Sequence, residues 1–389
     1  MSLVHYLQLS FTPGVGPITA RKMIDHFGSV ERACQAKPSE LREIEGVGSR
    51  SGEKIGAGLT DAARRAADEL RKARDTGVTI LCPTDDIYPT LLREIPDPPL
   101  VLYMRGTLEA RDLHSVAIVG SRKCSFYGRE QSERFASLLA AAGVTVISGG
   151  ARGIDSVAHR GAMAHPAGRT IAVLGSGVDV AYPPENKTLF NDIAMRGAVL
   201  SEYPLGTTPL AENFPRRNRI VSGMSRGVLV IEADERSGAL ITARQACDDH
   251  NRPVFALPGR VDSPQSAGPH KLIRDGAILT TKLEDILDGL GPLPYSATQA
   301  DATDVVDPVV LQPSLFADVV KPQAAVLKNV AQFSGDQEKV LSCMDGQAVS
   351  VDTIIERTSL DAGVVLRELT LLTLKGAVRR VDGQTFARR

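Results

Sequence analysis

The chain has 389 residues, enough for two or three domains, and its 43% hydrophobic content supports a substantial core. Its formal net charge of −1 excludes a broadly basic coat for nucleic acid, so any site for a polyanion must be a local patch. Aromatic residues make up only 4% of the chain and tryptophan is absent, which argues against a long base-stacking platform.

The first part of the chain, residues 1–65, has a helical pattern punctuated by glycine. Pro13-Gly-Val-Gly16 precedes one amphipathic stretch and Glu45-Gly-Val-Gly48 precedes another. Helices joined by Gly-x-Gly turns resemble the SAM-like or helix-hairpin-helix units, whose turn amides hold a DNA phosphate. A small helical domain that uses glycine only to turn corners is the alternative, because acids such as Glu43 and Glu53 flank the second turn.

The middle part, residues 66–291, alternates short β-branched runs with helical patterns. This alternation is typical of a doubly wound, Rossmann-like α/β fold with a mostly parallel sheet. Strands are predicted at residues 116–119, 144–147, 170–174, 198–200, 227–231 and 253–256. Two earlier segments, 79–81 and 101–104, are predicted to add strands or a flap to the main sheet. Helices are predicted near residues 128–142, 154–164, 185–196, 216–224, 238–250 and 268–274.

Glycine-rich loops follow the first three main strands of this predicted sheet. They include Gly120-Ser-Arg122, Ser148-Gly-Gly150 and Gly175-Ser-Gly177. Backbone N–H groups and helix N-termini converge at the strand ends of such folds, and small residues let a phosphate approach them. Because Arg122 and Arg152 lie in two of these loops, the sequence predicts an anion site there.

The densest local cluster of positive charge is Phe214-Pro-Arg-Arg-Asn-Arg219, which contains no acidic residue. Phe214 offers a ring face for a nucleic-acid base, and Asn218 interleaves the arginines. A solvated basic helix face is the alternative interpretation. Similarly, Asp155 at a predicted helix start either belongs to the anion site or simply caps the helix.

The C-terminal part begins with residues 292–333, which are rich in Pro, Ala and Asp and predict a flexible linker. Residues 334–389 predict helices at 336–343, 350–357 and 361–375, followed by a β-hairpin around Asp382-Gly383. This arrangement is typical of a winged helix, which binds duplex DNA or a protein or serves a packing role.

Catalytic and cofactor motifs are missing from the sequence. The glycine loops lack the full G-x-G-x-x-G pattern, and no P-loop, H-E-x-x-H or G-x-S-x-G segment is present. The five cysteines form no CxxC pair, which argues against a zinc site or a disulfide framework and fits a reducing cytosol. We therefore expect a cytoplasmic protein that is not an enzyme, with no cofactor, no metal and no membrane contact.

Taken in order, a series of motifs resembles the DNA-processing protein A (DprA/Smf) family, over about residues 75–285. The motifs are Ala117-Ile-Val-Gly-Ser-Arg122, Ser125-Phe-Tyr-Gly128, Ile147-Ser-Gly-Gly-Ala-Arg-Gly-Ile-Asp-Ser-Val-Ala-His159, Ser201-Glu-Tyr-Pro204, Phe214-Pro-Arg-Arg-Asn-Arg-Ile220, Glu232-Ala233, Ser237-Gly-Ala-Leu-Ile-Thr-Ala-Arg244 and Val254-Phe-Ala-Leu-Pro-Gly259. The helical front domain and the winged-helix tail also fit the longer members of that family.

The resemblance implies a non-enzymatic recombination mediator. Such a protein binds and protects incoming single-stranded DNA during natural transformation, that is, in competence, and helps to load the RecA recombinase. It works as a homodimer. By position, Arg122 and Lys187 resemble the family's DNA-gripping residues, and the positions Leu272, Ile273 and Leu279 resemble its dimer surface, with ordinary helix-to-sheet packing as the alternative.

Together, the residue pattern and the resemblance predict one DNA-binding site. Its predicted residues are Gly120, Ser121, Arg122, Ser148, Gly149, Gly150, Lys187, Phe214, Arg216, Arg217, Asn218 and Arg219. We expect a single cationic groove that brings Arg122, Lys187 and Arg219 together.

An enzymatic alternative comes from the LOG-type phosphoribohydrolases, which have a similar strand–loop architecture and cleave a base from a nucleoside monophosphate. Those enzymes carry a Pro-Gly-Gly-x-Gly-Thr loop followed by a catalytic Glu. The equivalent stretch here begins at Glu232 and has neither the glycine pair nor the threonine. A nucleotide-sensing or scaffold role is a further alternative.

Overall fold

The computed structural model describes residues 2–291 and, in the C-terminal part, residues 335–344, 349–358, 360, 364–365, 368–369, 372, 378–380 and 385–388. The chain forms two units, residues 1–317 and 318–389. The predicted linker at 292–333 lies outside the described residues, as do the turn at Asp382-Gly383 and most of the predicted helix at 361–375.

The N-terminal unit begins with five helices. They are α1 (Ser2–Phe11), α2 (Pro17–Phe27), α3 (Val30–Ala33), α4 (Pro38–Leu41) and α5 (Ser49–Thr76). Both Gly-x-Gly turns lead directly into a helix, with Gly16 and Gly48 as the N-cap residues of α2 and α5. In α5, buried residues recur at helical spacing, as at Ile55, Leu59 and Ala62, so that one face of this helix packs into the helical core. Helix α5 continues through residue 65, the predicted end of the helical domain.

A nine-stranded sheet follows these helices. Its strands are β1 (Thr79–Leu81), β2 (Leu102–Gly106), β3 (Ser115–Val119), β4 (Thr145–Ser148), β5 (Thr170–Val173), β6 (Ala198–Ser201), β7 (Gly227–Val230), β8 (Val254–Ala256) and β9 (Ile278–Leu279). Their order across the sheet is β1-β2-β6-β5-β4-β3-β7-β8-β9. The pairs β1–β2 and β2–β6 are antiparallel, and all other pairs are parallel. The two early segments predicted at 79–81 and 101–104 are therefore strands of the main sheet.

The strand order reverses at β3, which pairs with β4 on one side and with β7 on the other. In the register, Ala117 lies opposite Ile147 and Val228. Helices that follow strands on opposite sides of this point cover opposite faces of the sheet, which leaves a crevice at the carboxyl ends of the strands. This topological switch point is where a ligand site is expected.

Eight helices connect or flank the strands. They are α6 (Thr90–Arg93), α7 (Phe126–Ala141), α8 (Ile154–Ala164), α9 (Lys187–Arg196), α10 (Asn213–Gly223), α11 (Ala239–Arg244), α12 (Ala267–Arg274) and α13 (Leu283–Leu290). The central strands β3, β4, β5 and β7 are buried on both faces, as expected for a sheet covered by helices. Helix α11 is shorter than predicted, because residues Gln245–Asp249 continue it as a π-turn.

The C-terminal unit has a small core of its own. Its described elements are α14 (Gly335–Ser342), β10 (Val349–Ser350), α15 (Val351–Thr358), β11 (Val378–Arg380) and β12 (Thr385–Arg388). The strand order is β10-β12-β11, with both pairs antiparallel. Val340, Ile354 and Leu372 are fully buried in its core. Helices that pack on a small antiparallel sheet are what the winged-helix prediction requires.

Within the described ranges, no helix combines the length and the apolar character needed to cross a bilayer. The same residues contain no cluster of three or more His, Cys, Asp or Glu side chains that could hold a metal ion.

Candidate functional site

A cavity of about 650 Å³ opens at the switch point, beyond the carboxyl ends of β3, β4 and β7. We call it the switch-point groove. Its lining includes Gly120, Ser121, Arg122, Lys123, Gly149, Ala151, Asp155, Tyr182, Phe214, Arg217, Asn218, Ser237, Gly238, Ile241, Thr242 and Gln265. Loops after three strands and the first turns of α10 and α11 therefore converge on one site, as the fold predicts.

The β3–α7 loop is held at both ends by Glu232, the second residue after β7. The Ser121 amide donates to the Glu232 carbonyl oxygen at 2.7 Å. The Ser125 amide and hydroxyl donate to the two carboxylate oxygens of Glu232, at 2.8 and 2.5 Å. Glu232 is 4% exposed. It thus fixes the loop that carries Arg122 and Lys123 into the groove.

The floor of the groove contains a buried charge pair, Asp155 and Arg217. Arg217 donates to the backbone oxygens of Gly149 and Val173, and Asp155 accepts from the Ala151 amide at 3.2 Å. Burial raises the pKa of the Asp155 carboxyl above its usual range, although the Arg217 charge opposes this. Burial also lowers the pKa of Arg217 to about 10, so this guanidinium stays protonated at neutral pH.

The wall of the groove is aromatic. The Arg122 Cζ atom lies 5.4 Å from the centroid of the Phe214 ring, and the Arg217 Cζ atom lies 6.0 Å from it. Tyr182 packs at a tilt against the same ring, with the centroids 5.4 Å apart. Guanidinium groups at this distance interact favourably with the π-system. Phe214 therefore orients Arg122 at the mouth of the groove.

Two exposed cations stand at the mouth, Arg122 and Lys123. Neither makes an ion pair with any residue that the structure describes. Asp234 is an exposed acid at the rim, whereas Asp155 is buried and faced by Arg217. The accessible part of the β3–α7 loop is therefore positively charged, which suits an anionic ligand.

Helix α5 of the helical part supports another wall of the groove. The Glu69 carboxylate is buried and accepts from the Leu205 amide at 2.7 Å. Asp179 accepts from the next amide, that of Gly206, at 2.9 Å. The same loop continues to Pro209 and Ala211, which line the groove. The N-terminal helices thus help to shape the site.

Gly149 lets the floor pack closely. A Cβ atom at this position would lie 2.7 Å from Arg217 Nη2 and 2.8 Å from Asp155 Oδ2. No real side chain tolerates such contacts, so the charge pair would have to move. Glycine is thus needed at position 149 because its buried neighbours leave no room for a side chain, and because a ligand can then approach the backbone.

We expect Gly149→Ala to destabilise the protein by about 1–3 kcal/mol through overpacking, and to weaken ligand binding by displacing Arg217. Urea unfolding measures the first effect and a binding titration the second. Gly238→Ala is the matched control, because Gly238 also lines the groove but has no atom within 4 Å of the added methyl group. Equal behaviour of the two variants would contradict the close packing described here.

Two predicted residues lie beneath the groove and not in its lining. Ser148 is fully buried and donates to the Ile118 carbonyl oxygen at 2.6 Å. Gly150 has a φ of 66° and accepts from Asn186 Nδ2 at 3.0 Å through its carbonyl oxygen. Both residues shape the β4–α8 turn, and their side-chain positions face protein atoms.

Lys187 lies in a second, neighbouring cavity of about 320 Å³, which it lines together with Arg105, Asp179 and Phe190. This lysine is exposed at the start of α9. The preceding residue, Asn186, bonds to Gly150 and to Ser156 Oγ, so this cavity adjoins the loop after β4. The predicted single groove is thus divided into two cavities along the carboxyl edge.

The structure places Arg219 outside both cavities. Its Nε donates to Asp97 at 2.8 Å, and its Nη1 and Nη2 donate to the two oxygens of Glu202 at 2.9 and 2.7 Å. The side chain is 9% exposed. Arg216 is exposed but is not part of the groove lining. Of the three arginines in the basic cluster, only Arg217 reaches the groove. Arg216 and Arg219 are one and two positions from it on α10, so they point about 100° and 200° away around the helix.

The predicted dimer-surface residues differ in their surroundings. Leu272 is partly buried and packs against the sheet core. Ile273 is also partly buried. Leu279 is 51% exposed and lies on β9, the edge strand of the sheet. Of these three residues, Leu279 presents the most surface to another chain.

Sequence reasoning did not assign several groove residues to the site. They are Lys123, Ala151, Tyr182, Ser237, Gly238, Ile241, Thr242 and Gln265. The segment after β7 could have been included, because the loops on both sides of a switch point contribute to its site. Lys123 could also have been included, because it is a cation that directly follows Arg122 in the same loop. Gln265 and Tyr182 come from distant loops, for which the local pattern offers no signal.

Three known family models match successive parts of the chain. The family model described as "DNA recombination-mediator protein A" matches residues 79–291. The model described as "DprA winged helix domain" matches residues 322–384, and the one described as "SAM-like Helix-hairpin-helix tandem" matches residues 7–61. These matches and the mostly parallel sheet confirm the predicted fold class.

Relatives of the chain match over most of its length. Protein Smf from Synechocystis sp. is 35% identical, over 99% of this chain and 98% of the relative. Protein Smf from Escherichia coli is 41% identical, over 78% of this chain and 76% of the relative. A crystal structure of DNA processing protein A from Streptococcus pneumoniae superposes with a TM-score of 0.63 at 35% identity, covering 73% of this chain and 96% of that one.

Proposed function

Because the chain belongs to the DNA recombination-mediator protein A (DprA/Smf) family, we propose that it binds single-stranded DNA in the switch-point groove. In this proposal the protein protects the strand and loads a RecA recombinase onto it during natural transformation. The observation that carries the binding proposal is a pair of exposed cations, Arg122 and Lys123, at the mouth of a preformed groove, neither of which is ion-paired to any described residue.

The chemistry of the groove suits a sugar–phosphate chain. Arg122 is held in place by the Phe214 ring and by the clamped β3–α7 loop, so its guanidinium is pre-organised for bidentate contact with a phosphate. The buried Arg217 adds a fixed positive charge to the floor. A recessed cavity of about 650 Å³ has room for individual nucleotides, which a flexible single strand can present more readily than a duplex. We therefore expect single strands to bind more tightly than duplex DNA.

Lys187 extends the proposed path of the strand. It is exposed in the neighbouring cavity at the same edge of the sheet. Asn186 ties the start of α9 to the loop after β4, which also lines the groove. We propose that consecutive phosphates contact Arg122 and then Lys187.

We expect Arg122→Ala to lower the affinity for a single-stranded oligonucleotide about 10- to 100-fold, the loss typical of a hydrogen bond to a charged group. The slope of log affinity against log salt should become shallower by about 0.7, because one phosphate contact is lost. Fluorescence anisotropy at several salt concentrations measures both. Arg64→Ala is the control, since Arg64 carries the same charge, is 78% exposed and lies on α5. An unchanged slope in Arg122→Ala would remove this residue from the proposed site.

The hydrogen bonds of the Glu232 carboxylate favour a binding role over hydrolysis. Both of its carboxylate oxygens bond to Ser125, and the residue does not line the groove. A carboxylate engaged in this way supports a loop and does not face a substrate. Incubation with nucleoside monophosphates should therefore release no free base, and release would favour the phosphoribohydrolase alternative.

The proposed partners follow from the family and from the exposed surfaces. We propose a homodimer that uses the β9 edge, where Leu279 is 51% exposed on the last strand of the sheet, since edge strands can pair with another chain. We further propose that the protein acts in the cytoplasm, on DNA that has entered the cell. Contact with RecA is part of the same proposal.

A further inference from the structure

One aromatic side chain, Phe126, stands outside the groove and outside every hydrophobic core. It is 82% exposed, more than any other Phe or Tyr among the described residues. The next residue, Tyr127, is 41% exposed. A single exposed apolar residue is normal on a protein surface and needs no explanation. An exposed aromatic ring on a rigid element next to a cationic groove, however, is the arrangement on which nucleic-acid bases stack.

The position of Phe126 is fixed relative to Arg122. It is the first residue of α7, and its N-cap Ser125 accepts from the Gly128 amide at 3.1 Å. Glu232 holds Ser121 at one end of the loop and Ser125 at the other. Arg122 thus lies within the clamped segment, and Phe126 is the residue that directly follows it.

The surroundings of Phe126 are suited to a polyanion. Lys123 and Arg129 are exposed on either side of it in the sequence, and neither forms an ion pair within the described residues. The Tyr127 hydroxyl donates to the Pro258 carbonyl oxygen at 3.0 Å, which ties the start of α7 to the loop after β8. Glu130 is the exposed acid on the same helix turn. Within residues 122–130 there are thus three cations and one acid.

We propose that Phe126 is a base-stacking site for single-stranded DNA as the strand passes beyond Arg122 out of the switch-point groove. This inference rests on the proposed function and deepens it by assigning a base contact outside the groove. The enclosed Phe214 does not serve as this platform, because two guanidinium groups and Tyr182 already lie against its ring. Stacking on Phe126 is tolerant of sequence, since every base has a π-face.

The absence of tryptophan from the sequence provides a direct test. Phe126→Trp introduces a single fluorophore, and stacking against a base should quench it when a dT oligonucleotide is added. Met195→Trp is the matched control, because Met195 is 77% exposed near the end of α9 and should show no quenching. Absence of quenching at position 126, in a variant that still binds DNA, would overturn the proposal.

A second measurement separates stacking from a structural role. Phe126→Ala should lower the affinity for a dT oligonucleotide about 5- to 100-fold, the range measured for base–aromatic stacking. It should leave the affinity for an abasic strand of the same length unchanged, and Phe126→Tyr should restore binding. The thermal midpoint should not change, since the side chain is exposed.

The outcomes distinguish this inference from the function on which it rests. If the unaltered protein fails to bind single-stranded DNA, the proposed function is wrong. If it binds and Phe126→Ala binds equally well, or loses affinity equally for the abasic strand, the stacking site alone is wrong. Unchanged DNA binding would favour a protein partner for this surface, whereas equal losses would indicate a structural role for Phe126.

Discussion

Replacing Arg219 by alanine should destabilise the folded protein by about 3–5 kcal/mol, because the loss of one partner leaves the others as uncompensated charges in a largely buried site. The Arg219 side chain is 9% exposed, and its Nε and Nη atoms bond to Asp97 and Glu202. These contacts join α10 to the end of β6 and to the segment before β2. The arginine that the basic motif assigned to DNA is thus engaged in holding three elements together.

Urea unfolding together with a salt titration of DNA binding tests this assignment. Arg219→Ala should lose stability while the folded protein keeps the salt slope of the unaltered chain. Arg216→Ala serves as the control, since this neighbour is exposed on the same helix and should change stability by no more than about 0.5 kcal/mol. A shallower slope with intact stability in Arg219→Ala would instead place this residue on the DNA.

The second large effect concerns acid and the buried His159. Its ring lies in α8 below the groove and is fully buried. Thr170 donates its hydroxyl proton to the Val146 carbonyl oxygen, so His159 Nδ1 must carry the proton that it shares with Thr170 Oγ1 at 2.7 Å. The Nε2 atom is buried and has no hydrogen-bond partner among the described residues. Protonation there would bury an unsolvated charge.

Burial, with the nearby charges of Arg160 and Arg217, lowers the pKa of His159 to about 3. An unfolded histidine has a pKa of about 6.5, so between these two values the unfolded chain binds a proton that the folded chain does not. The contribution of neutral His159 to the free energy of unfolding is therefore fully present above about pH 6.5. It decreases by up to about 1.4 kcal/mol per pH unit as the pH falls towards 3, which amounts to about 5 kcal/mol in total.

Denaturant unfolding at a series of pH values between 7 and 4 measures this slope. His159→Gln is the comparison, because it keeps a hydrogen-bonding side chain and removes the titration. We expect this variant to be less stable at pH 7 and to lose less stability on acidification. Parallel pH profiles for the two proteins would show that His159 is not responsible for the acid sensitivity.

The sequence pattern located strands β1 to β8 of the central sheet within one or two residues and did not predict β9 (Ile278–Leu279). Runs such as 116–119 and 144–147 are β-branched and bounded by glycine, and the structure has strands at Ser115–Val119 and Thr145–Ser148. Helix ends were less accurate. Helix α10 starts at Asn213, three residues before the predicted start, because Pro215 is compatible with the first turn of a helix.

The candidate site was predicted in part. Gly120, Arg122, Gly149 and Phe214 line one groove, since the carboxyl ends of neighbouring parallel strands meet at one edge. Lys187 lies in the adjacent cavity, and Arg219 is paired with acids elsewhere. Charge density along the chain could not separate these cases, because it does not record where each side chain points.

The sequence by itself determined the class of fold, the order of its elements and the glycine loops at the strand ends. Hydrophobic periodicity and the steric demands of a turn act over a few residues, so they are visible in a local pattern. Only the tertiary structure decided which cations are available to a ligand and which aromatic ring is exposed. Arg219 is paired with residues 17 and 122 positions away, while Arg122 has no such partner among the described residues. An ion pair depends on distance in space, and one sequence does not report that distance.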